Sequence, residues 1–201
     1  VEITNTDAEG RLILGDAMTY AEHLGATHLV DVATLTGAVS RALGHLVTGA
    51  FGAPQDFYDQ VAAAGWRAGE RYWQLPLVDD YVPEMDSWYA DLQNSGSAEG
   101  SLVKSALFLR EFATRPWVHL DIAGTAYFRK ATSYAPRGAT GASHATLVEL
   151  ALAGAIAAVE AFNARVDLAV FDAEMTQVLE DLDAENLLIC EGCHQLVCGR
   201  D

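Results

Sequence analysis

The sequence has few cysteines, few basic residues and no long apolar run. Its three cysteines all lie beyond residue 189, so no disulfide framework exists before that point and we expect a reducing compartment, the cytoplasm. Lysine and arginine number 12 against 28 acids, and the net charge of −16 argues against nucleic acid or an acidic membrane surface as the main partner. No apolar run approaches about 18 residues, so no membrane-spanning helix is predicted.

The first residues also lack the features of a protein N-terminus. Residues 1–11 carry acids where the basic region of a signal peptide would stand, and there is no initiator methionine. The chain starts inside a run that is typical of a strand. We therefore expect these 201 residues to be a piece of a longer protein.

The sequence does contain an alternation of β-like runs and helical patterns, as far as about residue 163. Strands are predicted at 28–33, 46–51, 88–92 and 117–122. Helical periodicity predicts helices over 11–24, 36–43, 55–68 and 102–112. This alternation predicts an α/β layered fold in which helices cover a largely buried sheet.

A second region is predicted from 164 to 201. From residue 160 onward there are ten acids against two arginines, and Val178, Leu182, Leu187 and Leu188 recur at helical spacing. The pattern predicts an acidic helical tail that ends in a cluster of cysteines and a histidine. An unrelated fusion or a frameshifted reading of the gene is the alternative origin for this tail.

The residues with the clearest chemistry are Asp7, Glu9 and Arg11. If the segment is extended, side chains two positions apart point the same way, so the two carboxylates converge and need a cation or a proton between them. Such oxygen ligands suit magnesium, manganese or zinc. Arg11, in the first turn of the following helix, is placed to hold an anion. The alternative is that Asp7 or Glu9 simply caps that helix.

Five blocks of the sequence carry a resemblance. The first is the string NTDAEGRL at Asn5–Leu12, and the others are DVATLTGA at 31–38, ADLQN at 90–94, WVHLDIAGT at 117–125 and GATG at 138–141. In this order they resemble the leucyl aminopeptidase family, of which NTDAEGRL is the hallmark. The resemblance covers about residues 1–152. It implies that residues 1–163 are the C-terminal part of a catalytic domain, a three-layer α/β/α fold with a mixed sheet, as in zinc-dependent exopeptidases.

The resemblance also implies roles for individual residues. Asp7 matches a ligand of one metal ion, Glu9 matches a ligand that bridges two, and Arg11 matches the catalytic arginine that holds a bicarbonate ion. The bicarbonate is expected to act as the general base toward the attacking water.

Four further positions match residues that contact the substrate. The carbonyl of Leu35 is expected to face the free amine and the amide of Gly37 the peptide. Thr34 and Ala139 are expected to form the wall of the pocket for the first side chain.

The function implied is metal-dependent release of N-terminal amino acids, with a leucine-like preference, from peptides that have a free N-terminus. The cofactors implied are two divalent ions (manganese or zinc, with magnesium as a further candidate), and the assembly implied is a homo-hexamer. A pair of ions activates water and polarises the scissile carbonyl.

Part of the family's site is missing from the sequence. A metal-binding lysine, two metal-binding aspartates and a catalytic lysine come from a segment before NTDAEGRL in this family. Asp16, Asp31, Asp91 and Asp121 occupy no family metal position, and we expect each to cap or to pair within the fold. The chain alone is therefore predicted to be inactive. The alternative is a catalytically dead binding or structural subunit.

Three weaker signals remain. Cys190, Cys193, His194 and Cys198 have a spacing that could ligate a secondary zinc ion, could attach haem, or could be reduced thiols. His119 lies in an apolar run and is predicted to be a hydrogen-bonded core histidine rather than a ligand. The four tryptophans are predicted to be core or interface aromatics.

Overall fold

The structure is a computed structural model that describes residues 1–163, 187–189 and 196–198. The chain divides into two compact units, Val1–Leu152 and Ala153–Asp201. Among the described residues, no helix is long and apolar enough to cross a membrane.

The first unit alternates helices and strands, and the four predicted helices and three of the four predicted strands occur in the predicted order. The helices are α1 (Glu9–His23), α2 (Gly37–Leu43), α3 (Gln55–Ala68), α4 (Ser101–Arg110) and α5 (His144–Asn163), the last of which continues into the second unit. The strands are β1 (Leu29–Ala33), β2 (Thr48–Ala53), β3 (Tyr72–Gln74), β4 (Trp117–Asp121), β5 (Tyr127–Phe128) and β6 (Gly138–Ala139). Two 3₁₀ helices lie at Thr6–Ala8 and Asp79–Met85.

Four of the strands form one mixed sheet in the order β1-β4-β2-β3. β1 pairs with β4 in parallel, β4 with β2 antiparallel, and β2 with β3 in parallel. The parallel pair β1–β4 runs in register from Leu29 opposite Trp117 to Ala33 opposite Asp121, so both carboxyl ends lie at one edge. The mixed α/β sheet that the resemblance implies is confirmed.

Apolar side chains cover both faces of this sheet. Successive residues of a strand point to opposite faces, and Trp117 and Val118 of β4 accordingly belong to two different hydrophobic clusters. The Trp117 cluster contains side chains of α1 and α4, whereas the Val118 cluster contains side chains of α3. Helices therefore lie on both faces, as a three-layer α/β/α fold requires. Each fully buried aliphatic or aromatic side chain stabilises such a core by about 1.5–3 kcal/mol.

A buried polar network lies on the face of the sheet that carries Trp117. Asp31 of β1 accepts hydrogen bonds from Nε1 of Trp117 (2.7 Å) and Nδ1 of His119 (2.5 Å) on β4. Burial by itself would lower the pKa of His119, but the charge of Asp31 and its hydrogen bond together raise it. The predictions that His119 is a hydrogen-bonded core residue and that Asp31 pairs within the fold are confirmed.

The strand predicted at 88–92 is wrong. That segment is irregular and follows the 3₁₀ helix Asp79–Met85, and Trp88 and Tyr89 are 97% and 88% exposed. The run is apolar, but none of its residues is in a strand ladder; the nearest pairing is the single bridge between Glu2 and Gln93. Of the tryptophans, Trp117 is in the core and the other three are exposed, so their interface role stays a prediction.

In the second unit, Leu187–Ile189 and Leu196–Cys198 form an antiparallel pair of strands, β7 and β8. The helical prediction at Leu187 and Leu188 is therefore wrong. The physical reason is that three consecutive apolar residues suit a short buried strand as well as a helix, and spacing alone does not separate the two. The boundary at 163/164 stays a prediction. So does the secondary zinc site, because Cys190, Cys193 and His194 lie outside the described residues.

We expect Asp31→Asn to lower the free energy of unfolding by about 2 kcal/mol near pH 6, because buried His119 loses its charged partner. A raised histidine pKa stabilises the fold fully below the unfolded value of about 6.5, and the contribution is lost as pH rises through the folded value. The deficit of Asp31→Asn should therefore shrink toward about pH 9 in urea-unfolding curves. An equal deficit at both pH values would contradict the network, and the exposed Asp16→Asn serves as the control.

Candidate active site

The segment that carries the two candidate metal ligands is a tight turn rather than a strand. Thr6–Ala8 is a 3₁₀ turn, and α1 begins at Glu9. The side chain of Asn5 caps the turn by accepting a hydrogen bond from the N–H of Asp7 at 2.9 Å. Asp7 and Glu9 therefore do not lie on one side of an extended strand, and that prediction is wrong. An asparagine cap in front of them winds the chain into a helical turn instead.

Both candidate ligands point away from the fold. Asp7 and Glu9 are exposed, and neither carboxylate forms a hydrogen bond or ion pair with the residues that the structure describes. Asn5 rather than Asp7 or Glu9 provides the capping side chain, and it caps the 3₁₀ turn. The N-cap residue of α1 is Ala8, which makes no side-chain cap hydrogen bond. Two exposed carboxylates suit a hard divalent ion. Among the described residues, however, no three His, Cys, Asp or Glu side chains are grouped as a metal site.

Arg11 lies in the first turn of α1, as predicted, but its guanidinium is already engaged. Nη1 donates to the carbonyl oxygen of Asn94 (2.8 Å) and Nη2 to the hydroxyl of Ser105 (2.7 Å). The guanidinium also lies 6.0 Å from the ring of Phe108. Burial lowers the pKa of Arg11, yet an arginine stays charged in a protein. Within the described residues, its Nε atom is buried without a partner.

The loop after β1 carries three of the four predicted substrate-binding residues. Asp121, at the end of β4, accepts from the N–H of Leu35 (3.2 Å) and from the hydroxyl of Thr36 (2.7 Å). The same hydroxyl accepts from the N–H of Val39 and so caps α2, which begins at Gly37. Burial raises the pKa of Asp121, against the opposing effect of the hydrogen bonds that it accepts. The loop is thus held by a buried carboxylate.

The turn with the acids and the loop after β1 are neighbours. A Cβ atom built on Gly10 would lie 4.0 Å from Cδ1 of Leu35. The first turn of α1, which begins at Glu9, therefore lies beside the side chain of Leu35. Thr34 and Gly37 are both exposed on this loop.

Ala139 occupies a separate small sheet. It lies in β6 and pairs with Tyr127 of β5. Thr140 attaches this sheet to the chain after β4 by hydrogen bonds from its N–H to Ala126 (3.0 Å) and from its hydroxyl to Thr125 (2.6 Å). No hydrogen bond of the described residues links Ala139 to Thr34 or Leu35, so their shared pocket stays a prediction.

Two residues that hold the site in place were not identified as such from the sequence. Asn94 is fully buried and bonds to the segment around the acids, and Asp121 anchors the loop after β1. The ADLQN and WVHLDIAGT blocks contain both residues, but a matching string does not say which of its members contact another block. Asp16 and Asp91 are exposed and outside this arrangement.

Comparison with known proteins agrees with this geometry. Residues 1–148 match the model of the cytosol aminopeptidase family, catalytic domain. Probable cytosol aminopeptidases of Solibacter usitatus and Bacillus subtilis are 53% and 54% identical over 153 residues, which is 76% and 75% of this chain. The same regions are 32% and 31% of those relatives, so the chain spans about a third of their length.

Solved structures show the same fold. A mutant of tomato leucine aminopeptidase matches 75% of this chain and 29% of its own, with a TM-score of 0.70 and 41% identity. The bottromycin maturation enzyme BotP matches 74% of this chain and 34% of its own, with a TM-score of 0.71 and 39% identity. The fold therefore places the protein in the class of mixed α/β catalytic domains of the leucine aminopeptidase kind. More narrowly, the chain belongs to the cytosol aminopeptidase family.

We expect Asp121→Ala to lower the free energy of unfolding by about 3 kcal/mol, because the amide of Leu35 and the hydroxyl of Thr36 lose a buried charged acceptor. Asp121→Asn keeps an oxygen for the amide and should lose about half as much. Urea unfolding gives the stability, and hydrogen exchange of the Leu35 amide gives the local effect. Unchanged exchange at Leu35 in Asp121→Ala would show that the carboxylate does not hold the loop.

Proposed function

We propose that this chain supplies Asp7, Glu9 and Arg11 to the site of a leucyl aminopeptidase that releases N-terminal amino acids from peptides. The observation that carries the proposal is the unaltered NTDAEGRL string within a 148-residue family match, with both acids exposed at the start of α1. Exposed, unpaired acids cost little to bring to a cation, whereas acids already paired in the fold would first lose their partners.

The donor set of these residues fits a divalent ion in part. Asp7 would hold one ion and Glu9 would bridge two, manganese or zinc, with magnesium the third candidate. When bound, the ions supply Lewis acidity toward the scissile carbonyl and lower the pKa of water. Arg11 would hold bicarbonate as the general base through the part of its guanidinium that Asn94 and Ser105 do not occupy.

The loop after β1 would orient the substrate. The carbonyl of Leu35 would accept a hydrogen bond from the free amine, and the N–H of Gly37 would donate to the peptide. Asp121 anchors this loop from the buried side by accepting from the N–H of Leu35 and the hydroxyl of Thr36. Thr34 and Ala139 would form the wall of an apolar pocket, which is consistent with a leucine-like preference.

The remaining ligands would come from a segment before NTDAEGRL. The resemblance implies a metal-binding lysine, two aspartates and a catalytic lysine in that segment, and only four residues precede Asn5 in this sequence. The relatives are about three times as long as the matched region. We therefore propose that these 201 residues alone are inactive.

The expected substrates, assembly and compartment follow from membership of the cytosol aminopeptidase family. Peptides with a free N-terminus would be the substrates, a homo-hexamer the assembly and the cytoplasm the compartment, as the name of the relatives suggests. The net charge of −16 argues against nucleic acid as a partner.

We expect the purified chain to hydrolyse leucine p-nitroanilide no faster than its Glu9→Gln variant in manganese and bicarbonate, because the site lacks ligands. Release of p-nitroaniline is followed by absorbance. Metal-dependent turnover that is lost in Glu9→Gln would refute the claim of inactivity and would mean that a working site forms without the preceding segment.

A hybrid protein tests the positive half of the proposal. In it, residues 1–152 of this chain replace the matching region of the Bacillus subtilis relative, which supplies the preceding segment. We expect activity in the hybrid and a loss of at least about 100-fold in kcat/KM on Glu9→Gln, since even residues behind a metal ligand contribute 10–100-fold. Asp16→Asn removes an exposed acid from the same helix and is the matched control. A folded but inactive hybrid would favour the catalytically dead subunit.

A further inference from the structure

Asn94 lies between the 3₁₀ helix Asp79–Met85 and α4, with 0% of its surface exposed. Its side-chain oxygen accepts from the backbone N–H of Thr4 (3.0 Å) and of Asn5 (3.2 Å). Its side-chain nitrogen donates to the carbonyl oxygens of Asn5 (2.7 Å) and Ala8 (3.4 Å). One amide group therefore satisfies backbone donors and acceptors just before the 3₁₀ turn and at its last residue.

The backbone of Asn94 contacts the same segment at its two ends. Its N–H donates to the carbonyl oxygen of Glu2 (2.9 Å), and its carbonyl oxygen accepts from Nη1 of Arg11 (2.8 Å). The partners of this one residue thus begin before Asp7 and end after Glu9. Neither acid is itself among those partners, so both carboxylates stay available at the surface.

We propose that Asn94 is the positioning residue of the candidate metal site. It fixes the backbone of residues 2–11 from the buried side and so presents the carboxylates of Asp7 and Glu9 in one arrangement. The inference deepens the proposed function, on which it rests for the identity of the ligand. Ligands that are held before binding lose less conformational freedom when the ion arrives.

Only an amide meets the chemical requirement at this position. Asparagine offers an acceptor to two N–H groups and a donor to two carbonyl groups. An aspartate of the same shape would keep the acceptor but would place a carboxylate oxygen against the carbonyls of Asn5 and Ala8. It would also add a negative charge next to the site, which by charge alone strengthens the binding of a cation. If positioning governs the site, Asn94→Asp weakens cation binding. If charge governs it, the same substitution strengthens cation binding.

The first test uses hydrogen exchange on the full 201-residue chain. We expect Asn94→Ala and Asn94→Asp to speed exchange at residues 2–11 by at least about tenfold, because several hydrogen bonds are lost, while β4 and α3 keep their protection. Gln93→Ala is the matched control, because that side chain donates only to the carbonyl of Glu84 and not to the segment. Unchanged exchange at residues 2–11, or an equal rise throughout the unit, would overturn the proposal. This readout does not depend on aminopeptidase activity.

The second test measures manganese affinity and kinetics in the hybrid protein. We expect Asn94→Asp to weaken manganese binding and to lower kcat by about 10–100-fold with little change in KM, the range found for residues that orient metal ligands. Tighter manganese binding by Asn94→Asp would overturn the proposal, because charge rather than position would then govern the site. A hybrid that binds no manganese although exchange at 2–11 responds as expected would refute the proposed function and leave the positioning of the segment established.

Discussion

β1 and β4 run parallel for five residue pairs, and two sets of buried contacts depend on this register. At one end, Ala33 lies opposite Asp121, and this brings the carboxylate under the loop that begins at Thr34. In the middle, Asp31 lies opposite His119, and the two side chains form a buried hydrogen bond. A shift of one residue would turn every side chain of the strand to the other face and would remove both contacts. The pairing therefore positions the loop and specifies the core together.

A buried charged side chain on α4 has hydrogen-bond partners within the fold. Lys104 has 1% of its side chain exposed and donates to Glu84 and Ser97, each at 2.6 Å. The bond to Glu84 contributes to a lowered pKa of that glutamate. Glu84 has 40% of its side chain exposed, but its removal would leave the buried charge of Lys104 without a carboxylate partner. These groups consequently favour one arrangement of the segment before α4, the segment that also contains Asn94.

The acids of the candidate site, in contrast to Lys104, are exposed. The carboxylates of Asp7 and Glu9 stay at the surface, while the backbone around them is held by the buried side chain of Asn94. A rigid backbone with exposed oxygen atoms is what a divalent ion requires of its ligands. Stability is thus supplied by residues next to the acids, and the acids themselves remain available for chemistry. The two carboxylates therefore form no ion pair with the described residues of this chain, whose net charge is −16.

The family, the four predicted helices and the strands β1, β2 and β4 followed from the sequence, since NTDAEGRL is unaltered and apolar periodicity is a local property. Local patterns failed where long-range contact decides the outcome. The run at 88–92 is apolar but finds no partner strand, and Asn5 caps a turn where an extended segment was expected.

The sequence by itself determined which residues are candidates for binding metal and substrate, because residue type and family position are properties of the string. Only the tertiary structure decided what holds them. Asn94 bonds to Asn5 across 89 positions, and Asp121 bonds to Leu35 across 86. Hydrogen bonds between residues so distant in sequence exist only after the sheet has formed. No local pattern of donors and acceptors predicts them, because each group has many alternative partners until packing excludes all but one.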